Sequence, residues 1–151
     1  MLIGVISDTH GLLRPEALTA LAGVEHILHA GDVGDSAILE ALAEIAPVTA
    51  IRGNVDTEGE CADLPETEAV MLGGRLFYMV HAIEDMDISP IAAGVSVVVY
   101  GHSHVARVEQ RGDVLYLNPG SAGPKRFKLE VTLALVTISE GGVAARVEVL
   151  V

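Results

Sequence analysis

Leu2-Ile3-Gly4-Val5-Ile6-Ser7-Asp8-Thr9-His10 begins the chain with an apolar run of strand length that leads straight into a polar island. The run predicts a buried strand, and the island falls where that strand must end. The same arrangement recurs along the chain. His26 to His29 leads to Gly31-Asp32, Val48 to Ile51 to Gly53-Asn54, Leu76 to Val80 to His81, and Val97 to Tyr100 to Gly101-His102-Ser103-His104. In an open α/β sheet the carboxyl ends of neighbouring strands face one crevice, so side chains distant in sequence converge there. The five strand ends supply seven metal-capable side chains: Asp8, His10, Asp32, Asn54, His81, His102 and His104.

The segments between the first three strands read as helices. Arg14-Pro15-Glu16 starts one with proline at its first position, Ala17, Leu18 and Leu21 form its stripe, and Gly23 closes it. Asp35 or Ser36 caps the next, in which Ile38, Leu39, Leu42 and Ile45 face the sheet before Pro47 ends it. This βαβαβ order predicts parallel pairing. From about Thr67 the texture changes to Ala69–Leu72, a Gly73-Gly74 turn and Arg75–Val80, a hairpin signal after which antiparallel strands are expected. A helix over roughly Asp87 to Ala93 precedes the valine strand. The remaining short strands, Val105 to Gln110, Val114 to Leu117, Leu129 to Ile138 and Val143 to Leu150, are expected to close a second sheet. Asp56 to Glu68 is acidic and without period, and reads as a loop at the rim of the site.

Composition narrows the function classes. At 151 residues, half of them hydrophobic, the chain is expected to form one domain over 1–151 with a substantial core. Its net charge of −12 and 3% aromatic content provide neither a basic groove nor a base-stacking platform, which argues against extended nucleic acid as a partner. Cys61 is the sole cysteine, so a reducing, cytoplasmic setting is expected. Leu2 to Ile6 is too short for a signal h-region and lacks a basic flank, and no apolar stretch is long enough for a membrane span.

Two divalent cations about 3.5–4 Å apart can clamp both oxygens of an in-line displacement at phosphorus, and they need a bridging carboxylate between nitrogen and oxygen ligands. Asp32 is placed for the bridge. Asp8 and His10 suit one ion, His102 and His104 have the same two-residue spacing, and Asn54 offers a neutral carbonyl. Each island alone has an ordinary reading: Asp-Thr-His as a cap or turn, Gly-Asp and Gly-Asn as turn formers, His81 as a core histidine. It is their conjunction after successive strands that points to a metal site.

With these motifs and the Asn118-Pro119-Gly120-Ser121 turn, the chain resembles the calcineurin-like metallophosphoesterases, in particular their small single-domain phosphodiesterases, which are similar in fold to a retromer scaffold subunit. The resemblance covers nearly the whole chain. It implies a four-layer αββα sandwich of two mixed β-sheets flanked by helices, with a dinuclear centre at one sheet edge. It also implies that Asp8, His10, Asp32 and His104 hold one metal and Asp32, Asn54, His81 and His102 the other. A metal-bridging hydroxide would then attack phosphorus. Asn54 and Arg52 are candidates to touch the phosphate, with a buried Arg52 paired to Asp56 or Asp32 as the alternative. His29 is either a support for a ligand or a plain core histidine, and Pro124-Lys125-Arg126 is read as a solvated loop in preference to a substrate clamp. Two residues depart from the family pattern. Val55 stands where larger members carry a histidine that protonates the leaving group, and His81-Ala82-Ile83 replaces the usual His-Gly-His.

The function expected is a phosphodiesterase acting on small phosphoesters. The alternatives are a non-catalytic scaffold of the same fold and a nuclease. An oxygen and nitrogen ligand set without thiolate suits Mn²⁺ first, with Zn²⁺, Fe²⁺, Ni²⁺ or Co²⁺ as alternatives. No membrane partner is expected, and a homo-oligomer stays open.

Overall fold

In the computed structural model, which describes residues 1–151, ten strands form two five-stranded sheets. The first sheet contains β1 (Leu2–Ile6), β2 (His26–His29), β3 (Val48–Ala50), β9 (Thr132–Ser139) and β10 (Gly142–Val149), ordered β10-β9-β1-β2-β3. The second contains β4 (Thr67–Leu72), β5 (Arg75–Val80), β6 (Val97–Val99), β7 (Arg107–Arg111) and β8 (Val114–Asn118), ordered β4-β5-β6-β8-β7. The βαβαβ segment pairs in parallel as its sequence predicts, Ile3 opposite His26 and Ile27 opposite Val48.

The last hairpin does not close the second sheet. β9 crosses back to lie antiparallel to β1, with Leu2 opposite Thr137 and Val5 opposite Ala134, and β10 follows it. The turn at Glu140-Gly141-Gly142 fixes the hairpin locally, but only burial decides which sheet receives it. Thr132–Val136 is buried without interruption, so β9 requires an interior place with both faces covered, and the position beside β1 provides one. The second sheet is antiparallel only in part after the β4–β5 hairpin: β7 and β8 pair antiparallel as expected, but β5, β6 and β8 run parallel to one another.

Packing follows period-two alternation. Ile3, Val5, Leu28, Phe77, Met79, Val97, Val99, Leu117 and Val136 form the core between the sheets. Ile27, Leu133 and Leu135 face outward from the first sheet, and α1 (Pro15–Ala20) and α2 (Ser36–Ala43) cover them through Ala17, Ile38 and Leu42. The Asp35 carboxylate caps α2 by accepting the Ala37 N–H at 2.9 Å. On the far face Tyr78, Val98, Tyr100 and Tyr116 lie under a thin layer, a 3₁₀ turn at Ile83–Asp85 and α3 (Pro90–Ala93). The helix expected from about Asp87 begins only at Pro90. Proline lacks an N–H and fits the first turn, and the Ser89 hydroxyl before it accepts the Ala92 N–H. The 56–68 stretch is not wholly loop, since a 3₁₀ turn at Glu60–Asp63 buries Cys61 and β4 has begun by Thr67. No helix is long and apolar enough to cross a membrane.

Candidate metal centre

The segments that follow β1, β2 and β6 reverse sharply. Asp8 (φ 55°), His10 (46°), Asp32 (55°), His102 (71°) and His104 (64°) all adopt the left-handed backbone conformation, and only one other non-glycine residue in the chain does so. Each such residue costs on the order of 1–3 kcal/mol and persists only where surrounding contacts force it, which makes their coincidence at one place informative. These reversals turn the side chains back over the strand ends.

All seven sequence-predicted residues converge there. Asp8, His10 and His104 form one group of potential ligand atoms and Asp32, His81 and His102 a second. Asp8 Oδ1 lies 3.2 Å from His104 Nε2 and 3.7 Å from His10 Nε2. Asp32 Oδ2 lies 3.1 Å from His81 Nε2 and 3.6 Å from His10 Nε2, between the two groups. His10 and His104 approach to 3.3 Å through their Nε2 atoms. The Asn54 amide oxygen faces both Asp32 oxygens at 3.2 and 3.3 Å and His81 Nε2 at 3.1 Å.

This donor set fits a divalent cation. Asp8 is fully buried, and its Oδ1 receives no hydrogen bond. Acceptors facing acceptors around Asn54 oppose one another unless the amide rotates or a cation sits among them. His81 is already oriented for ligation, since its Nδ1–H donates to the Ala30 carbonyl at 2.7 Å and leaves Nε2 for the site.

The proton affinities record the same crowding. Burial raises the Asp8 carboxyl above its ordinary value, although the Ser7 hydroxyl, donating to Oδ2 at 2.6 Å, works against it. Burial also acts to raise Asp32, but hydrogen bonds from His81 and the Val55 N–H outweigh it and hold Asp32 at about 2. Burial lowers His10 and His104. It acts to lower His81 too, yet contact with Asp32 and the Ala30 carbonyl raises it overall.

Asp56, Asn118 and Ser121 form a ring of supporting residues whose holding roles the sequence did not reveal. The buried Asp56 carboxylate accepts N–H bonds from Gly53 (2.9 Å), Gly34 (3.0 Å) and Val33 (3.1 Å), cinching the Asp32 loop to the Asn54 loop. Asn118 donates to the Gly101 carbonyl and the Ser103 hydroxyl at 3.1 Å each, and the Ser121 hydroxyl donates to the Asp8 carbonyl at 2.9 Å. A Cβ on Gly53 would strike Asp32 Oδ1 and N, so only glycine lets the two loops meet. The one available signal was glycine density: two of the three N–H groups that meet the carboxylate at 56 belong to glycines, Gly34 and Gly53.

Arg52 pairs with neither Asp56 nor Asp32. Its guanidinium donates to Glu66 at 2.7 Å and to the Ala62 carbonyl at 3.1 Å, because the 3₁₀ turn brings those acceptors closer. It edges a cavity of about 550 Å³ that opens beside Asn54, His81 and His102 and is otherwise lined largely by Glu66, Glu84, Asp85 and Asp87. Val55 is 44% exposed beside the site.

Residues 1–141 match the calcineurin-like phosphoesterase superfamily domain. The chain belongs to that superfamily. It is 33% identical over 144 residues to a protein of Methanocaldococcus jannaschii named as a probable metallophosphoesterase, covering 89% of this chain and 75% of the relative. Identity to the phosphodiesterase YfcE of Escherichia coli is 31% over 139 residues, 76% of each chain. The fold is that of Vps29 from Entamoeba histolytica in its zinc complex, with a TM-score of 0.75 over the full length of both chains at 21% identity. Family and ligand groups together support divalent metal binding by this phosphoesterase.

Proposed function

We propose that the chain is a phosphodiesterase for small phosphoesters, with Asp8, His10, Asp32 and His104 holding one divalent cation and Asp32, Asn54, His81 and His102 a second. The observation that carries this reading is the position of Asp32, whose Oδ2 lies within 3.6 Å of an imidazole nitrogen from each group. Manganese is the first choice for both sites. When bound, such a pair supplies an acidic water as nucleophile and positive charge for the phosphoryl oxygens.

The protein's own groups prepare that reaction. Asp32, whose carboxylate accepts the Val55 N–H, holds the two halves of the site in register. Asn54, with its oxygen turned inward, presents its NH₂ to the cavity, where it can donate to a phosphoryl oxygen. Arg52, fixed by Glu66 and Ala62, borders the same space as a partly neutralised cation. Val55 has no proton to give, so substrates whose leaving group departs unaided are favoured.

The test is to strip the chain with a chelator, reload it with Mn²⁺ and measure hydrolysis of bis(4-nitrophenyl) phosphate. Turnover that returns with metal is expected. The likeness to Vps29 over the full chain favours a second reading, a non-catalytic scaffold. Absence of turnover on a panel of phosphoesters with Mn²⁺, Zn²⁺, Fe²⁺, Ni²⁺ and Co²⁺ would support it instead.

A further inference from the structure

Six non-glycine residues have positive φ, and the sixth is Phe127 (φ 52°). It occupies the first central position of a turn closed by the Leu129 N–H and the Arg126 carbonyl at 3.0 Å. Turns with positive φ at that position take glycine, asparagine or aspartate, because a bulky side chain is strained there. Phe127 is also 96% exposed, so neither turn chemistry nor core packing accounts for its ring.

The turn is fastened to the metal centre. The Ala122 N–H donates to the Ser7 carbonyl at 3.0 Å, and Gly123 passes so close to the Asp8 and Thr9 carbonyls that a Cβ would strike them. Arg14 holds the Gly123 carbonyl at 3.2 Å. Beyond it Lys125, Arg126 and Lys128 place three of the chain's nine Lys and Arg residues within four positions, in a chain of net charge −12. The arginines of the salt bridges are elsewhere, Arg52, Arg107, Arg111 and Arg146, so this cationic turn is free. Lys128 and Leu129 line a cleft of about 250 Å³ with His104, Val105 and Ala106, which sets the turn against a ligand residue. Arg126 and Phe127 therefore lie between two points of the chain, Gly123 and Lys128, that both abut segments carrying candidate ligands.

We propose that Arg126 and Phe127 are specificity-determining residues of the metal centre, Arg126 meeting a phosphoryl oxygen and the Phe127 ring packing on an aromatic group of the same substrate. This rests on the phosphoesterase reading and deepens it: the preferred substrates are phosphoesters bearing an aryl or nucleobase-like ring. An exposed ring loses water contact only when a partner covers it, and a planar partner covers it best. An unpaired guanidinium on a turn held against the Asp8 and His104 segments suits the charge of a phosphoester.

Phe127→Gly removes the ring while supplying the residue that the turn geometry favours, so its melting temperature should be no lower than the parent's. Arg126→Ala and Arg126→Lys separate charge from packing. Metal content of Mn²⁺-loaded protein is measured first, then binding of phenylphosphonate and methylphosphonate by calorimetry. The parent should prefer the phenyl compound by about three- to tenfold, and Phe127→Gly should abolish that preference at unchanged metal content. Arg126→Ala should weaken both ligands by about tenfold or more, with most of the loss restored in Arg126→Lys. A phenyl preference that survives in Phe127→Gly, or unaltered affinities in Arg126→Ala, would overturn the inference and leave the metal reading standing. A metal-loaded parent that binds neither phosphonate would also overturn it. A parent that takes up no metal would overturn the phosphoesterase reading, and this inference with it.

Discussion

His29→Asn should make the chain less sensitive to acid, by an amount that follows from one buried ring. His29 is fully buried, with Nδ1 accepting the Gly31 N–H at 3.1 Å and Nε2 3.0 Å from the Thr9 hydroxyl oxygen. Because that hydroxyl donates its proton to the Val33 carbonyl at 2.8 Å, Nε2 must be the donor to Thr9, and the ring is neutral with both nitrogens used. Burial lowers its pKa from 6.5 to about 4. Between those values the unfolded chain binds a proton that the folded chain refuses, so stability present above pH 6.5 is lost as pH falls toward 4. Between pH 7 and pH 4.5 the loss from this group is about 2.4 kcal/mol. His10, His26 and His104, also lowered by burial, act in the same direction, and His81, raised overall, acts in the opposite one; these terms are common to parent and variant and cancel in the comparison. Asparagine keeps an acceptor for Gly31 and does not titrate, at a cost of about 1–3 kcal/mol at neutral pH for the lost Thr9 contact and ring volume. Urea unfolding of both metal-free proteins at pH 7 and pH 4.5 measures the effect. The parent should lose about 2 kcal/mol more than the variant, whereas losses equal to within about 0.5 kcal/mol would refute the reasoning.

Asp56→Ala should destabilise the chain by about 3 kcal/mol or more, since it strands the N–H groups of Gly53, Gly34 and Val33, and Asp56→Asn should cost less; denaturant titration gives both values. Val55→His should raise the rate on alkyl phosphomonoesters by at least about tenfold more than on aryl diesters, as a positioned general acid is typically worth about 10²–10⁴-fold; equal effects at unchanged metal content would mean that a missing acid does not limit the enzyme. Metal affinity should already be falling as pH drops toward about 6.5 and fall steeply below it, because His81, whose proton the Asp32 and Ala30 contacts stabilise, must be neutral to ligate; a Mn²⁺ titration that stays flat from pH 8 to pH 5 would contradict this.

The positions of the site residues could be read in the sequence because they depend on a local rule, a polar island after each apolar strand. The parallel segment and the helix starts at Pro15 and Asp35 were legible for the same reason, each being set by neighbouring residues. The placement of β9 was not, since it depends on which sheet has room for a strand buried on both faces. Arg52, expected to touch the phosphate or to pair with Asp56 or Asp32, meets Glu66 and Ala62 instead, and Asp56 meets backbone N–H groups. Whether a carboxylate or a guanidinium meets a given backbone group turns on the 3₁₀ turn at Glu60–Asp63, for which the acidic, periodless stretch gave no signal. Left-handed φ at Asp8, Asp32 and three histidines was likewise invisible, because residue type alone does not predict strain imposed by tertiary contacts.

Anomalous diffraction from Mn²⁺-soaked crystals tests most directly the proposal that Asp32 joins two metal sites. Two peaks are expected about 3.5–4 Å apart on either side of the Asp32 carboxylate, one against Asp8, His10 and His104 and the other against Asn54, His81 and His102. A single peak, or two peaks without Asp32 between them, would contradict it.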